Sequence, residues 1–296
     1  MSQTLDQSRF QHEIILVIGA GTMGHGIAGQ AARCGAQVRL YDANLEALER
    51  GKAHIEAIYQ KAIVKSKMTQ EDVDGALSRL SFINPNQQSL TNACAGVTVV
   101  IEAAPERLEL KQKIFTEVEA VVSQSCLLAS NTSSLSIDKI AEALNHPERF
   151  IGMHFFNPVA IMPLLEIVKG KATSEEVIAR TRWIGETLLK TPIVVKDAPG
   201  FATSRLGIAL GNEAMRIYEE GVASAEDIDR AMVLGYRHPI GPLALTDLVG
   251  LDVRLAISEY LHEQLGTDTF KPPQILKDKV AKGELGKKTG RGFYEY

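Results

Sequence analysis

Two side chains twelve positions apart are the strongest candidates for proton chemistry. His154 sits in Gly152-Met153-His154-Phe155-Phe156-Asn157-Pro158, and Glu166 sits in Leu164-Leu165-Glu166-Ile167-Val168, with apolar residues on both sides. A carboxylate inside such a run is costly to bury without a partner. The intervening residues include Pro158 and Pro163 and allow the second segment to fold back beside the first. The carboxylate then reaches one imidazole nitrogen and leaves the other to face a ligand, as in an acid-oriented general base. A buried structural hydrogen bond, or Glu166 facing solvent on an edge strand, is the alternative that the residues themselves leave open.

A second group is built for phosphates. Gly19-Ala20-Gly21-Thr22-Met23-Gly24 follows the apolar run Ile14–Ile18 and precedes Ile27, Ala28, Ala31 and Ala32 at helical spacing. Gly19 permits a tight turn, Gly21 a close backbone approach to a pyrophosphate, and Gly24 helix-to-strand packing. The helix N-terminus offers unpaired N–H groups to anions. Asp42 closes the next strand, Gln37–Tyr41, where ribose hydroxyls arrive, although it could instead cap the following helix. Its charge disfavours the extra phosphate of NADP, and Ala43, Asn44 and Leu45 supply no arginine to hold one, so the expected cofactor is NAD.

Polar residues also follow two further strands. Ser130-Asn131-Thr132-Ser133-Ser134 comes after Leu127–Ser130, and Glu106 and Lys111 come after Val97–Glu102. Ligands of open α/β sheets collect at such carboxyl ends. A helix cap, an exposed acid and a surface lysine are the plainer readings of these residues.

The elements that must carry these groups alternate between strand and helix as far as Ile193–Lys196. Helical spacing marks 45–67, 68–80 (with Thr69 at its start), 107–122, 136–144 and 174–189. Phe82-Ile83, 150–156 and 164–168 read as strands. Beyond Asp197 the strand signals fade, and helical patterns recur at 203–220, 225–234, 243–264 and 273–283. The expected architecture is a Rossmann-type doubly wound, mostly parallel α/β sheet over residues 1–196 and a smaller all-helical domain over 197–296. An all-helical domain must cover its apolar faces, which favours a homodimer.

Composition narrows the function classes. The chain has 296 residues, 45% hydrophobic and 23% charged, with a net charge of −4 and no basic cluster, so nucleic acid is not an expected partner. Cys34, Cys94 and Cys126 are scattered and fit a reducing compartment. Residues 14–32 are uncharged, yet their glycines, His25 and Gln30 speak against a membrane span. The first residues lack the basic-then-apolar order of a secretion signal, so a cytoplasmic location is expected. Lys52, Lys61, Lys65 and Lys67 read as a solvated helix face.

Taken together, the chain resembles the short-chain 3-hydroxyacyl-CoA dehydrogenase family, particularly its bacterial 3-hydroxybutyryl-CoA dehydrogenases. The resemblance spans nearly the full length. It is carried by Gly19–Gly24, 129–135, 154–158, Pro199-Gly200-Phe201, Gly241-Pro242-Leu243 and 286–294. It implies an NAD enzyme acting on acyl-CoA and dimerising through its helical C-terminal domain. His154 corresponds to the general base, Glu166 to its partner, and Ser133 to a serine near substrate and nicotinamide. Gly19, Ala20, Gly21, Thr22, Met23, Gly24, Asp42, Glu106, Lys111, Ser133, Asn157 and Lys288 match cofactor positions. One departure stands out: the family asparagine that approaches the substrate oxygen is Ser204 here. Serine keeps a donor but is shorter, so a water can intervene; Ser133 and Ser204 are thus the expected substrate contacts. The rival readings are an NAD-linked dehydrogenase of a free hydroxy acid or sugar acid on the same scaffold, and a non-catalytic NAD-binding protein.

Overall fold

The computed structural model describes residues 10–296. One compact unit runs to Asp197 and a second spans Ala198–Tyr296.

The first unit is an eight-stranded sheet with helices on its faces. Its strands are β1 (Ile14–Ile18), β2 (Gln37–Tyr41), β3 (Leu80–Ile83), β4 (Val99–Glu102), β5 (Leu127–Ser130), β6 (Phe150–Phe155), β7 (Leu164–Lys169) and β8 (Thr191–Lys196). The order across the sheet is β3-β2-β1-β4-β5-β6-β7-β8. β1 therefore lies beside both β2 and β4, and the chain reverses direction across the sheet at that point. Doubly wound sheets bind ligands at the carboxyl ends of the strands flanking this point. Buried β1, β4 and β5 are near-continuous apolar runs because helices cover both faces.

Every pairing is parallel except β6 with β7. The reason lies in the connection. A parallel crossover needs a dozen or more residues, whereas 156–163 is too short for one and turns the chain back on itself. In the resulting register His154 lies directly opposite Glu166.

The helices of this unit are α1 (Gly24–Arg33), α2 (Leu45–Val64), α3 (Gln70–Ser78), α4 (Leu90–Ala93), α5 (Leu108–Glu119), α6 (Ile137–Ala141) and α7 (Glu175–Thr187). The stretch 14–32 resolves into β1 and α1. Thr69 caps α3 in a reciprocal arrangement with Asp72. The N-cap of α2 is Asn44, whose side chain accepts from the Ala47 N–H. Asp42 is thereby left for another task.

The second unit contains α8 (Thr203–Glu219), α9 (Ala225–Arg230), α10 (Pro242–Val249), α11 (Leu251–Leu265) and α12 (Gln274–Ala281). Ala214, Met215, Leu243, Leu251 and Leu276 form its main core. The continuous helix expected over 243–264 is broken at Gly250, whose φ of 104° ends α10 and starts α11. The pattern at 225–234 splits as well, since α9 gives way to a π-turn over Ala231–Gly235. The glycine-rich tail closes on α10: buried Asp247 accepts from the Phe293 and Tyr294 N–H groups, each at 2.9 Å. Among the described residues no helix is long and apolar enough to cross a membrane.

Candidate active site

The glycine loop joins β1 to α1. Gly19 has φ of 100°, and a Cβ there would stand 2.6 Å from the Ala103 carbonyl oxygen; one on Gly24 would stand 1.7 Å from that of Gly19. Side chains are excluded at both places by the backbone itself. Gly21 differs, because a Cβ there would meet no atom within 4 Å. It borders a cleft of about 570 Å³ lined also by Thr22, Met23, Asp42, Ala43 and Ala104. The Asp42 carboxylate accepts from the Ala20 and Asn44 N–H groups, each at 2.8 Å, and so is fixed at this cleft. A dinucleotide fits this arrangement: bare backbone for the pyrophosphate, an acid for the ribose, and no arginine lining the cleft for a 2′-phosphate.

Beyond β4 and β5 lies a charge chain. Glu102, fully buried at the end of β4, accepts from Lys111 Nζ, Ser130 Oγ and the Ala104 N–H, each at 2.6 Å. Burial pushes its carboxyl up, and the Lys111 ammonium with the hydrogen bonds pulls it back. Lys111 is itself buried and also lies 3.3 Å from Glu106 Oε2. Glu106 Oε1 gathers the next loop, accepting from Thr132 Oγ1 at 2.6 Å and from the Ser133 and Ser134 N–H groups at 3.0 Å. Partial burial raises the Glu106 carboxyl, but Lys111 and these donors outweigh it and hold it below the ordinary glutamate value. The plain reading of Lys111 as a surface lysine is therefore wrong. Helix capping belongs to Ser136, the N-cap of α6, rather than to Ser133. The serine cluster is instead tied to Glu106.

On the antiparallel pair, His154 Nδ1 and Glu166 Oε2 meet at 2.8 Å, with side-chain exposures of 9% and 0%. An ionised carboxylate only accepts, so with Glu166 charged it is Nδ1 that donates across this contact. Asn131 Oδ1 accepts from the Phe155 N–H at 2.9 Å and ties the β5 loop to β6. The loop after β6 is held by Lys190, whose ammonium donates to the carbonyls of Val159 and Met162. Asn157 begins that loop and, with Thr22, His25, Lys61, Lys65 and Lys67, lines a second cavity of about 290 Å³. Three of the four lysines read as a solvated face thus border a cavity, while the Lys52 ammonium lies over the Phe82 ring.

The first unit thus carries Gly19–Gly24, Asp42, Glu106, Lys111, Ser133, His154 and Asn157 at or after the carboxyl ends of its strands, with Glu166 near the start of antiparallel β7, opposite His154. The other two expected residues belong to the second unit. Ser204 lies in the first turn of α8, half-buried. Lys288 Nζ donates to Asp252 at 2.5 and 2.7 Å, and this hydrogen bond holds the Asp252 carboxyl below its usual range.

Sequence reasoning placed Ser130 and Thr132 in a polar cluster without their partners and missed Glu102 as a member of the site. The available signal was an acid closing the apolar run Val99-Val100-Ile101, the same pattern that singled out Asp42. Among the described residues no group of three or more His, Cys, Asp or Glu could hold a metal ion.

Comparison with known proteins places this geometry in context. The model of the 3-hydroxyacyl-CoA dehydrogenase NAD-binding domain matches residues 14–198, and that of the 3-hydroxyacyl-CoA dehydrogenase C-terminal domain matches 200–296. A probable 3-hydroxybutyryl-CoA dehydrogenase of Bacillus subtilis is 44% identical over 282 residues, covering 95% of this chain and 96% of the relative. A 3-hydroxybutyryl-CoA dehydrogenase of Bradyrhizobium diazoefficiens is 41% identical over 280 residues, covering 95% and 94%. The crystal structure of (S)-3-hydroxybutyryl-CoA dehydrogenase from Ralstonia eutropha superposes with a TM-score of 0.90 at 41% identity, covering 96% of this chain and 99% of that one.

Proposed function

Since the chain belongs to the 3-hydroxyacyl-CoA dehydrogenase family, we propose that it interconverts short-chain (S)-3-hydroxyacyl-CoA, such as 3-hydroxybutyryl-CoA, and the 3-ketoacyl-CoA, with His154 as general base. It is an NAD-linked oxidoreductase of 3-hydroxyacyl-CoA, as its family membership gives it. The observation that carries the proposed mechanism is the buried 2.8 Å contact between His154 and Glu166 on adjacent strands.

Gly19–Gly24 and Asp42 would hold the dinucleotide, with Glu106, Lys111, Ser133, Asn157 and Lys288 as its further contacts. Bound NAD supplies the acceptor for the hydride that leaves C3. His154 Nε2 takes the C3 hydroxyl proton, and Glu166 fixes the ring and offsets the positive charge it gains. In the opposite direction the imidazolium returns that proton to the oxygen. Ser133 and Ser204 hold the substrate oxygen. Glu102 and Lys111 set Glu106, and Glu106 sets the loop that bears Ser133. Lys61, Lys65 and Lys67 at the second cavity offer cationic groups for the CoA phosphates.

The reading assigns NAD to residues 1–196, and substrate and dimerisation to 197–296. Exposed Leu206, Leu234, Tyr236 and Leu248 of the second unit support a homodimer, which sedimentation equilibrium tests directly. Free Cys34, Cys94 and Cys126 support a cytoplasmic setting. The decisive assay is NADH oxidation on adding acetoacetyl-CoA. Replacing His154 by alanine is expected to cost roughly two to four orders of magnitude in kcat; near-normal turnover by that variant would refute the assignment.

A further inference from the structure

Three charged side chains where β4 meets α5 do not balance. The Lys111 ammonium has three hydrogens, and three oxygens surround it: Glu102 Oε1 at 2.6 Å, the Ala104 carbonyl at 3.2 Å and Glu106 Oε2 at 3.3 Å. Glu102 receives three donors in all, with the Ala104 N–H and Lys111 on Oε1 and the Ser130 hydroxyl on Oε2, which is the pattern of an ionised carboxylate. Two carboxylates therefore share one cation. Among the described residues no other ion pair reaches any of the three, so one unit of negative charge is left over.

Packing does not account for the buried pair. Glu102 and Lys111 are almost wholly enclosed, and apolar side chains of similar volume fill such a place at least as well as an ion pair does. Lys111 also stands in the first turn of α5, where the helix dipole disfavours a cation. The pair does abut the dinucleotide cleft. Ala104 donates its N–H to Glu102, accepts from Lys111 at its carbonyl, and lines the cleft together with Gly21 and Asp42. Glu106 is the member that reaches the surface, with 35% of its side chain exposed.

We propose that Glu102 is a positioning residue that tilts this site toward the oxidised cofactor, by holding the Lys111 ammonium and so leaving the Glu106 charge uncancelled. This rests on the reading of Glu106 and Lys111 as cofactor contacts. The nicotinamide ring is positive in NAD+ and neutral in NADH, so surplus negative charge beside it favours the oxidised form. Lys111 sits 0.7 Å closer to Glu102 than to Glu106, from the 2.6 and 3.3 Å contacts. With the Glu102 charge removed, the ammonium is left to neutralise Glu106, and the surplus disappears.

The test titrates the full chain at neutral pH with NAD+ by calorimetry and with NADH by fluorescence, and reads the ratio of the two Kd values. Glu102→Gln keeps the shape and an acceptor for Ala104 and Lys111 while removing the charge. In that variant the Kd for NAD+ is expected to rise roughly 3- to 15-fold more than the Kd for NADH, the order of one unit charge acting over about 10 Å at an effective dielectric of 20 to 40. Glu102→Asp retains the charge and is expected to keep the ratio near that of the parent. Should Glu102→Gln fail to fold, Glu106→Gln removes the same unit of charge and is expected to move the ratio in the same direction. Equal losses of affinity for the two forms in a folded glutamine variant, or none, overturn the proposal, because lost packing does not distinguish NAD+ from NADH. A ratio displaced as far in Glu102→Asp as in Glu102→Gln overturns it as well. A parent protein that binds neither nucleotide overturns the cofactor reading itself.

Discussion

Glu166→Gln is the sharpest probe of the proton-transfer pair. Glutamine preserves the volume and a hydrogen-bond acceptor for His154 Nδ1 but removes the charge. The carboxylate is fully buried and stands 2.8 Å from the ring nitrogen, so solvent does little to screen the pair. A hydrogen bond involving a charged group contributes about 1.5–3 kcal/mol net, and a unit-charge pair at an effective dielectric of 20 and about 4 Å contributes on the order of 4 kcal/mol. These figures bracket the loss when the imidazole becomes charged. The expected fall in kcat is therefore about 10- to 10³-fold, since each 1.4 kcal/mol is tenfold. The KM for NADH should change little, because Asp42 and the glycine loop are untouched. The assay is steady-state NADH oxidation with acetoacetyl-CoA, with NADH fluorescence titration confirming that the variant binds cofactor. A kcat within about threefold of the parent, in a variant that binds NADH normally, would show that Glu166 only fills space.

Two further outcomes follow from other parts of the site. Asp42→Ala should raise the KM for NADH by roughly tenfold, the worth of charge-assisted hydrogen bonds to ribose, while narrowing the preference over NADPH; a larger penalty for NADPH than for NADH would contradict the role given to Asp42. Glu106 is held below the ordinary glutamate value of 4.5, so its charged form stabilises the folded chain above that value. That stabilisation is expected to fade as pH falls from about 4.5 through the lower folded-state value, and urea unfolding of Glu106→Gln should show a flatter acid limb than the parent. Parallel acid limbs in the two proteins would remove Glu106 from the balance.

Local sequence wrote much of the cofactor site because its parts are contiguous. Gly19, Gly21 and Gly24 lie within one strand–turn–helix unit, where Gly24 is fixed by the Gly19 carbonyl, and Asp42 lies one strand later. Such short-range geometry is readable from residue type and spacing. Helix boundaries proved less legible where glycine broke a good apolar pattern, as at Gly250, because periodicity registers the buried face and not the backbone angle.

His154 and Glu166 stood between the two cases. Residue types made them candidates, but their meeting depends on a connection too short for a crossover, which forces β7 to run antiparallel and sets 154 opposite 166. Lys111 and Glu102 required the fold outright. A lysine early in an amphipathic helix looks like any solvated cation until the helix packs over the strand end and buries it against a carboxylate. The sequence by itself determined which backbone turns and charged types were present, since those are properties of single residues and their neighbours. Only tertiary packing decided which charges lost their water, and desolvation is what converts an ordinary ionisable side chain into a partner for proton transfer.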